Sequence, residues 1–99
     1  MIAVVVRFQY ENEFNEARLQ QIAEGARSKF QGMPGLRSKA FTVDAAKRQA
    51  LNFYVWDSED AARKFFSPQM IDGVEKIYGV RPSIDYVKLV TFVENPPST

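Results

Sequence analysis

The 99-residue chain contains no cysteine and no histidine. Without cysteine it has no disulfide, no thiolate nucleophile and no thiolate ligand for zinc or an iron–sulfur cluster. Without histidine it lacks the usual general base at neutral pH, the commonest zinc ligand and the usual proximal haem ligand. The acidic stretch "ENEFNE" (11–16) also lacks the oxygen pattern of a calcium loop, so we expect no bound metal.

The chain also lacks a charge excess and a long apolar run. Its formal net charge is +1, and its basic residues are scattered in pairs, which gives no reason to expect nucleic acid as a partner. No apolar run approaches the roughly 20 residues that span a bilayer. The N-terminus lacks the charged start and cleavage site of a signal peptide. We therefore expect a cytoplasmic protein with no membrane partner.

Alternating, β-branched segments predict four strands. They cover residues 2–10, 36–44, 48–56 and 83–94. Helical spacing predicts a helix over 16–31, with Asn15 as its N-cap, and a second helix to about Phe66, capped by Asp57 or Ser58. A further helical piece follows Pro68, which suits a first helical turn.

The order strand, helix, strand, strand, helix, strand predicts one domain over residues 1–99. Its fold class is α+β, a ferredoxin-like βαββαβ arrangement with a four-stranded antiparallel sheet. Large apolar side chains occur on both faces of this sheet, as where Phe53 and Val55 oppose Tyr54 and Trp56. Two helices cover only one face. We predict a homodimer closed sheet against sheet, with a ligand or an unrelated protein on that face as the alternative.

One face of the third strand combines an amide, a phenol and an indole. Asn52, Tyr54 and Trp56 lie at every second position and therefore point the same way. An amide in a mostly apolar strand costs stability unless it is hydrogen-bonded, so Asn52 is a candidate site residue. The alternatives are that Asn52 caps a neighbouring backbone group and that Trp56 fills the corner between strand and helix.

The chain resembles the dimeric α/β-barrel superfamily, which includes the antibiotic-biosynthesis-type monooxygenases, and it is most similar to the small YdhR-like mono-oxygenases. The resemblance covers nearly the whole chain. It lies in the strand order, in "MPGLRSKAF" after the first helix, in "FYVWDSEDAARKFF" and in the ending "FVENPPS". It implies a dimer with a pocket inside each protomer, between the helices and the sheet.

The same resemblance implies site residues. Some cofactor-free members place an Asn and a Trp four residues apart on the third strand, and these positions match Asn52 and Trp56. As catalytic residues, Asn52 would hydrogen-bond a substrate carbonyl or enolate, and Trp56 would hold the aromatic rings or donate its N–H. No cofactor is implied, because the carbanion of an electron-rich phenol or anthrone reduces dioxygen directly. The lack of histidine argues against the haem-degrading branch.

Four further side chains are candidates for substrate binding. Tyr54, Tyr78 and Tyr86 are possible proton carriers, and Arg81 could hold an acidic substrate group. The leading hypothesis is a cofactor-independent monooxygenase acting on a small aromatic or polyketide-like substrate. The alternatives are a cyclase or isomerase using the same pocket, and a non-catalytic ligand-binding or structural homodimer. RNA binding ranks last, because "RQALNFYVW" has no glycine where the RNA-recognition motif is Gly-rich.

Overall fold

The computed structural model describes residues 1–97, which form a four-stranded antiparallel sheet and three helices. The elements along the chain are β1 (Ile2–Gln9), α1 (Glu16–Phe30), β2 (Leu36–Asp44), β3 (Gln49–Trp56), α2 (Glu59–Phe65), α3 (Pro68–Tyr78) and β4 (Ser83–Lys88). The strands lie in the order β2-β3-β1-β4, and every neighbouring pair is antiparallel. This topology confirms the predicted α+β, ferredoxin-like fold.

The bounds of β4 differ most from the prediction. The alternating pattern continues to Glu94, but the strand ends at Lys88. The reason is the register, since Lys88 pairs with Ile2 at the very start of β1 and later residues find no partner strand. Residues 89–94 therefore lie outside the sheet, although their alternating sequence predicts a strand.

Side-chain caps start all three helices. Asn15, Ser58 and Ser67 each accept a hydrogen bond from the backbone N–H three residues later, which satisfies a donor that the first helical turn leaves unpaired. The cap of α2 is Ser58 and not Asp57, whose carboxylate instead accepts from Arg37 at 3.3 Å. Ser67 separates α3 from α2, which agrees with the predicted end of the second helix at about Phe66 and with the further helical piece predicted after it.

The two faces of the sheet have different environments. On the inner face, which the helices cover, Val4 and Phe8 of β1 are fully buried together with Trp56 of β3. On the outer face Phe53 is 42% exposed and Val87 is 47% exposed. Among the described residues no helix is long and apolar enough to cross a membrane.

A β-bulge interrupts the pairing of β2 with β3. Leu36 pairs with Trp56 and Ser38 pairs with the preceding residue of β3, Val55, so Arg37 is an extra residue in β2. The bulge shifts the alternation of β2 by one position. As a result Lys39 lies opposite Tyr54 on the inner face.

Gly35 provides a test of the packing between β2 and α2. Its φ is +84°, and an added Cβ would lie 3.2 Å from the Cβ of Ala61. Gly35→Ala should therefore lower the free energy of unfolding by about 1–3 kcal/mol, measured by urea denaturation. Gly25→Ala, in α1 where an added Cβ meets no atom within 4 Å, is the matched control and should raise it by about 0.5–1 kcal/mol. Equal effects of the two changes would contradict this account.

Candidate active site

A cavity lies between the sheet and the helices. Its volume is about 90 Å³, and residues from all four strands and all three helices line it. Most of the lining is aliphatic or aromatic, and the polar members are few. They are Lys29, Lys39, Asn52, Tyr54 and Tyr78.

Aromatic rings form much of the wall. Phe8 and Tyr78 stack with their ring centroids 3.8 Å apart, and Phe30 meets Tyr54 and Phe65 edge to face at 6.2 and 5.8 Å. Such rings bury a large apolar area and pack by offset stacking or edge-to-face contact. The cavity is therefore suited to exclude water and to hold a flat apolar group.

Asn52 brings a buried amide to this wall. The residue is only 4% exposed, and its Nδ2 donates a long hydrogen bond of 3.5 Å to the Tyr78 hydroxyl. Within residues 1–97 its side chain makes no other hydrogen bond, and in particular it caps no backbone group. A buried amide normally has its hydrogen-bonding groups satisfied. The second N–H and the carbonyl oxygen of Asn52 are therefore available to a bound molecule.

Two of the predicted tyrosines, Tyr54 and Tyr78, lie at the cavity. Burial is the main cause that raises the pKa of both hydroxyls above 10, and the neighbouring Asn52 amide acts in the opposite direction on each. Tyr78 further raises the pKa of Tyr54. Both phenols are therefore neutral at physiological pH, where they are able to donate hydrogen bonds but not to act as tyrosinate bases.

Lys39 is a cavity residue that the sequence analysis missed. Its Nζ lies over three aromatic rings, 3.4 Å from the centroid of Phe30, 4.0 Å from that of Phe41 and 4.4 Å from that of Tyr54. Burial, with a smaller contribution from Lys29, lowers the pKa of Lys39 from 10.5 to about 7. The only signal in the sequence was its position on the second strand, and the bulge before it reverses the face that simple alternation from Leu36 would assign.

Trp56 does not line the cavity. Its ring is almost completely buried at the corner of β3 and α2, where it stacks on Tyr54 at 6.1 Å and packs against Phe65 at 5.1 Å. Among the described residues its Nε1 has no hydrogen-bond partner. Since Tyr54 and Phe65 line the cavity, Trp56 supports the wall from behind, in the corner position that the sequence analysis kept as an alternative to a substrate contact.

Tyr86 and Arg81 also lie away from the cavity. The Tyr86 ring lies under the Arg63 guanidinium at 4.0 Å. The Arg81 guanidinium, in the loop before β4, donates to the carboxylates of Asp72 at 2.9 Å and Glu75 at 2.8 Å. The structure therefore brings Asn52, Tyr54 and Tyr78 together, whereas Trp56, Tyr86 and Arg81 are elsewhere. The part of the chain that the structure describes holds no cluster of three or more acidic side chains suited to a metal ion.

Comparison with known proteins identifies a family. The sequence matches the family model described as "Putative mono-oxygenase ydhR" over residues 3–88. No curated protein sequence matches the chain.

Several solved structures share the fold. A monooxygenase from Streptomyces coelicolor, the product of ActVA-Orf6 in complex with nanaomycin D, superposes with a TM-score of 0.67 at 18% identity, over 96% of this chain and 92% of that one. SnoaB, a cofactor-independent oxygenase from Streptomyces nogalater, gives 0.66 at 14% identity over 95% and 97%. A "putative antibiotic biosynthesis monooxygenase" from Deinococcus radiodurans gives 0.69 at 13% identity over 98% and 100%. At these identities the likeness shows a common fold.

The lowered pKa of Lys39 predicts a pH-dependent stability. Below pH 7 the native state holds a buried ammonium, whereas above pH 7 it releases the proton that the unfolded chain keeps to about its ordinary value of 10.5. The free energy of unfolding should therefore rise between pH 7 and pH 9, by about 1–2 kcal/mol because the ammonium stays partly solvated. Urea denaturation across this range measures the slope. Lys39→Met should lose this rise and the exposed-site control Lys64→Gln should keep it; a wild type with no rise would contradict the prediction.

Proposed function

The chain belongs to the family described as "Putative mono-oxygenase ydhR", and we propose that it is a cofactor-independent mono-oxygenase acting on a small aromatic or polyketide-like substrate. The observation that carries this proposal is the aromatic-walled cavity. It contains the buried Asn52 amide, whose second N–H and carbonyl oxygen make no hydrogen bond among the described residues. The relatives in structure support it, because one is described as a cofactor-independent oxygenase and another as a monooxygenase with nanaomycin D bound.

The chemistry requires little from the protein besides binding and charge stabilisation. An electron-rich phenol or anthrone releases a proton to solvent, and the resulting anion, which carries carbanion character on the ring, supplies the electrons that reduce dioxygen. For an anthrone the overall change is that one oxygen atom enters the ring methylene as a carbonyl and the second leaves with the two methylene hydrogens as water. We assign the Asn52 N–H to the oxyanion that develops on the substrate, since a fixed donor in a site without water stabilises such a charge most strongly. Neutral Tyr78 donates beside it.

The cavity is small for such a substrate. About 90 Å³ is well below the roughly 300–1,000 Å³ of common ligand pockets, so a two-ring substrate needs side chains of the wall to move. The same observation favours a second candidate function, a non-catalytic homodimer in which side chains fill the pocket. A cyclase or isomerase would use the cavity without consuming oxygen.

Asn52→Ala tests the assigned role. With anthrones and naphthols as probes, oxygen uptake measured with an electrode should fall about 100- to 1,000-fold, the usual loss when one oxyanion donor is removed. The melting temperature should change little, because the amide makes only one long hydrogen bond among the described residues. Asn12→Ala, in the loop before α1, is the control and should keep full uptake.

Other outcomes separate the alternatives. Product formation without oxygen consumption would indicate the cyclase or isomerase. Binding of probes with no turnover would indicate the ligand-binding protein. If Asn52→Ala mainly lowers the melting temperature while uptake per folded molecule is retained, the amide has a structural role.

We further propose that two copies of the chain pair through the outer face of the sheet. Phe53 and Val87 are exposed there, and the largely apolar segment 89–93 continues from β4 with Val90 and Val93 mostly exposed. The face also carries both charge signs, Arg7 and Asp85 at 4.0 Å, so a second copy presents complementary groups. Isologous pairing of such a face is the commonest form of association.

Phe53→Lys should convert this dimer to a monomer, as measured by light scattering after gel filtration, because it places a charge in the centre of the apolar contact. Val43→Lys is the matched control, since Val43 is exposed to a similar extent (40% against 42%) but pairs with Ala50 on the inner side of the sheet. The control should remain dimeric. A wild type that is monomeric in dilute solution would overturn the proposed pairing.

A further inference from the structure

The charged groups of the cavity are all of one sign. Lys29 and Lys39 line it, and no carboxylate from residues 1–97 does so. No acidic side chain in that range lies within ion-pair distance of Lys39, whose ammonium contacts only the faces of aromatic rings. Cation–π contact compensates part of the cost of burying a charge, but an anion does so more fully. The cavity therefore contains a cation without a counter-ion.

We propose that the cavity binds an aromatic anion, a carboxylate or a phenolate, whose charged oxygen pairs with the ammonium of Lys39 while its ring lies among the aromatic side chains of the wall. This inference rests on the proposed function and deepens it, because it names the charge of the substrate. It also gives Lys39 a direct contact with the substrate.

The sheet register sets where the two ends of such a molecule would lie. Lys39 pairs with Tyr54, and Asn52 is two residues further along the same face of β3. The backbones of diagonal neighbours of this kind are about 7–8 Å apart, so both side chains start from the same wall of the cavity and one molecule with two oxygens is able to contact both. The anionic oxygen would pair with Lys39, and a second oxygen would accept from the Asn52 amide.

The residues around Lys39 also favour the entry of an anion into the cavity. Lys39, Phe30 and Phe41 belong both to the cavity wall and to a surface groove that also contains Arg27 and Arg37. The Lys39 side chain therefore stands between the groove and the cavity. The ammonium of Lys39 contacts aromatic rings and forms no ion pair among the described residues, so pairing with an incoming anion would shift the side chain. That shift would also enlarge the cavity of about 90 Å³.

The titratable groups around Lys39 determine how binding depends on pH. They are Lys29 from α1, Tyr54 from β3, Tyr78 from α3 and, in the groove, Arg27 and Arg37. Both tyrosines stay neutral between pH 6 and pH 9 because burial raises each pKa above its ordinary value of 10. Lys39, with its pKa near 7, changes its charge in the same range.

Two probes of one shape and different charge test the inference by isothermal titration calorimetry. We expect 2-naphthoate to bind the wild type at least 10-fold more tightly than 2-naphthamide at pH 6.5. At pH 9 this preference should fall below about 3-fold, since the neutral amine no longer pairs with the carboxylate. The affinity for the amide should not change with pH.

Three variants separate the charge of Lys39 from its shape. Lys39→Gln should abolish the preference at both pH values. Lys39→Arg should keep the preference at both, because a guanidinium stays charged, and this variant also decides the case if Lys39→Gln does not fold. Lys64→Gln removes an exposed lysine of α2 and should behave as the wild type.

The outcomes distinguish this inference from the function on which it rests. Equal affinities for the two probes in the wild type at pH 6.5 would overturn the role of Lys39 and leave the aromatic cavity intact. A preference that persists in Lys39→Gln would overturn it as well. Charge-dependent binding without oxygen uptake from any phenol would support the inference and contradict the mono-oxygenase. If neither probe binds, both the anion site and the aromatic pocket are wrong.

Discussion

Pairing of β1 with both β3 and β4 sets the geometry of the whole molecule. β1 is the strand whose alternate residues, such as Val4 and Phe8, are fully buried under the helices, so its register is fixed by the hydrophobic face that it must cover. A slip of one residue would move that whole face into solvent. Because Val6 of β1 pairs with Asn52, the same register that buries the core also delivers an amide to the cavity.

The energetic character of the cavity follows from that placement. Apolar and aromatic contacts hold its walls, and the few polar groups inside are incompletely satisfied by the rest of the described chain. Such groups reduce stability, since a buried amide or ammonium gains from partners that this cavity does not supply. A ligand that supplies these partners would restore part of the lost stability. Functional sites commonly contain such unsatisfied polar groups, whereas the hydrophobic core does not.

Sequence periodicity was sufficient for the fold and for part of the site. Alternation along the third strand correctly put Asn52 and Tyr54 on one buried face, because a strand has a strict period of two. It did not distinguish the two ends of that face, so Trp56 was expected at the cavity although α2 covers it at the corner. The predicted length of β4 was wrong for a different reason. A strand ends where its partner ends, and the partner of β4 is β1, which begins at Ile2. The sequence of β4 itself contains no information about that limit. Lys39 was missed because a bulge, invisible to a simple count, lies just before it.

That bulge makes the face on which Lys39 lies depend on the backbone as well as on the sequence. Leu36 and Lys39 are three positions apart, so in a regular strand they would lie on opposite faces of the sheet, and the extra residue at Arg37 is what lets both lie on the inner face. A chain that kept every cavity residue but paired with β3 without the bulge would turn either Leu36 or the lysine to the opposite face. A homologous sequence with one residue fewer between these two positions would instead keep both on the inner face in a regular strand. In this fold, a gap in an alignment at β2 and the bulge compensate each other, and the charge of the cavity follows from the two together.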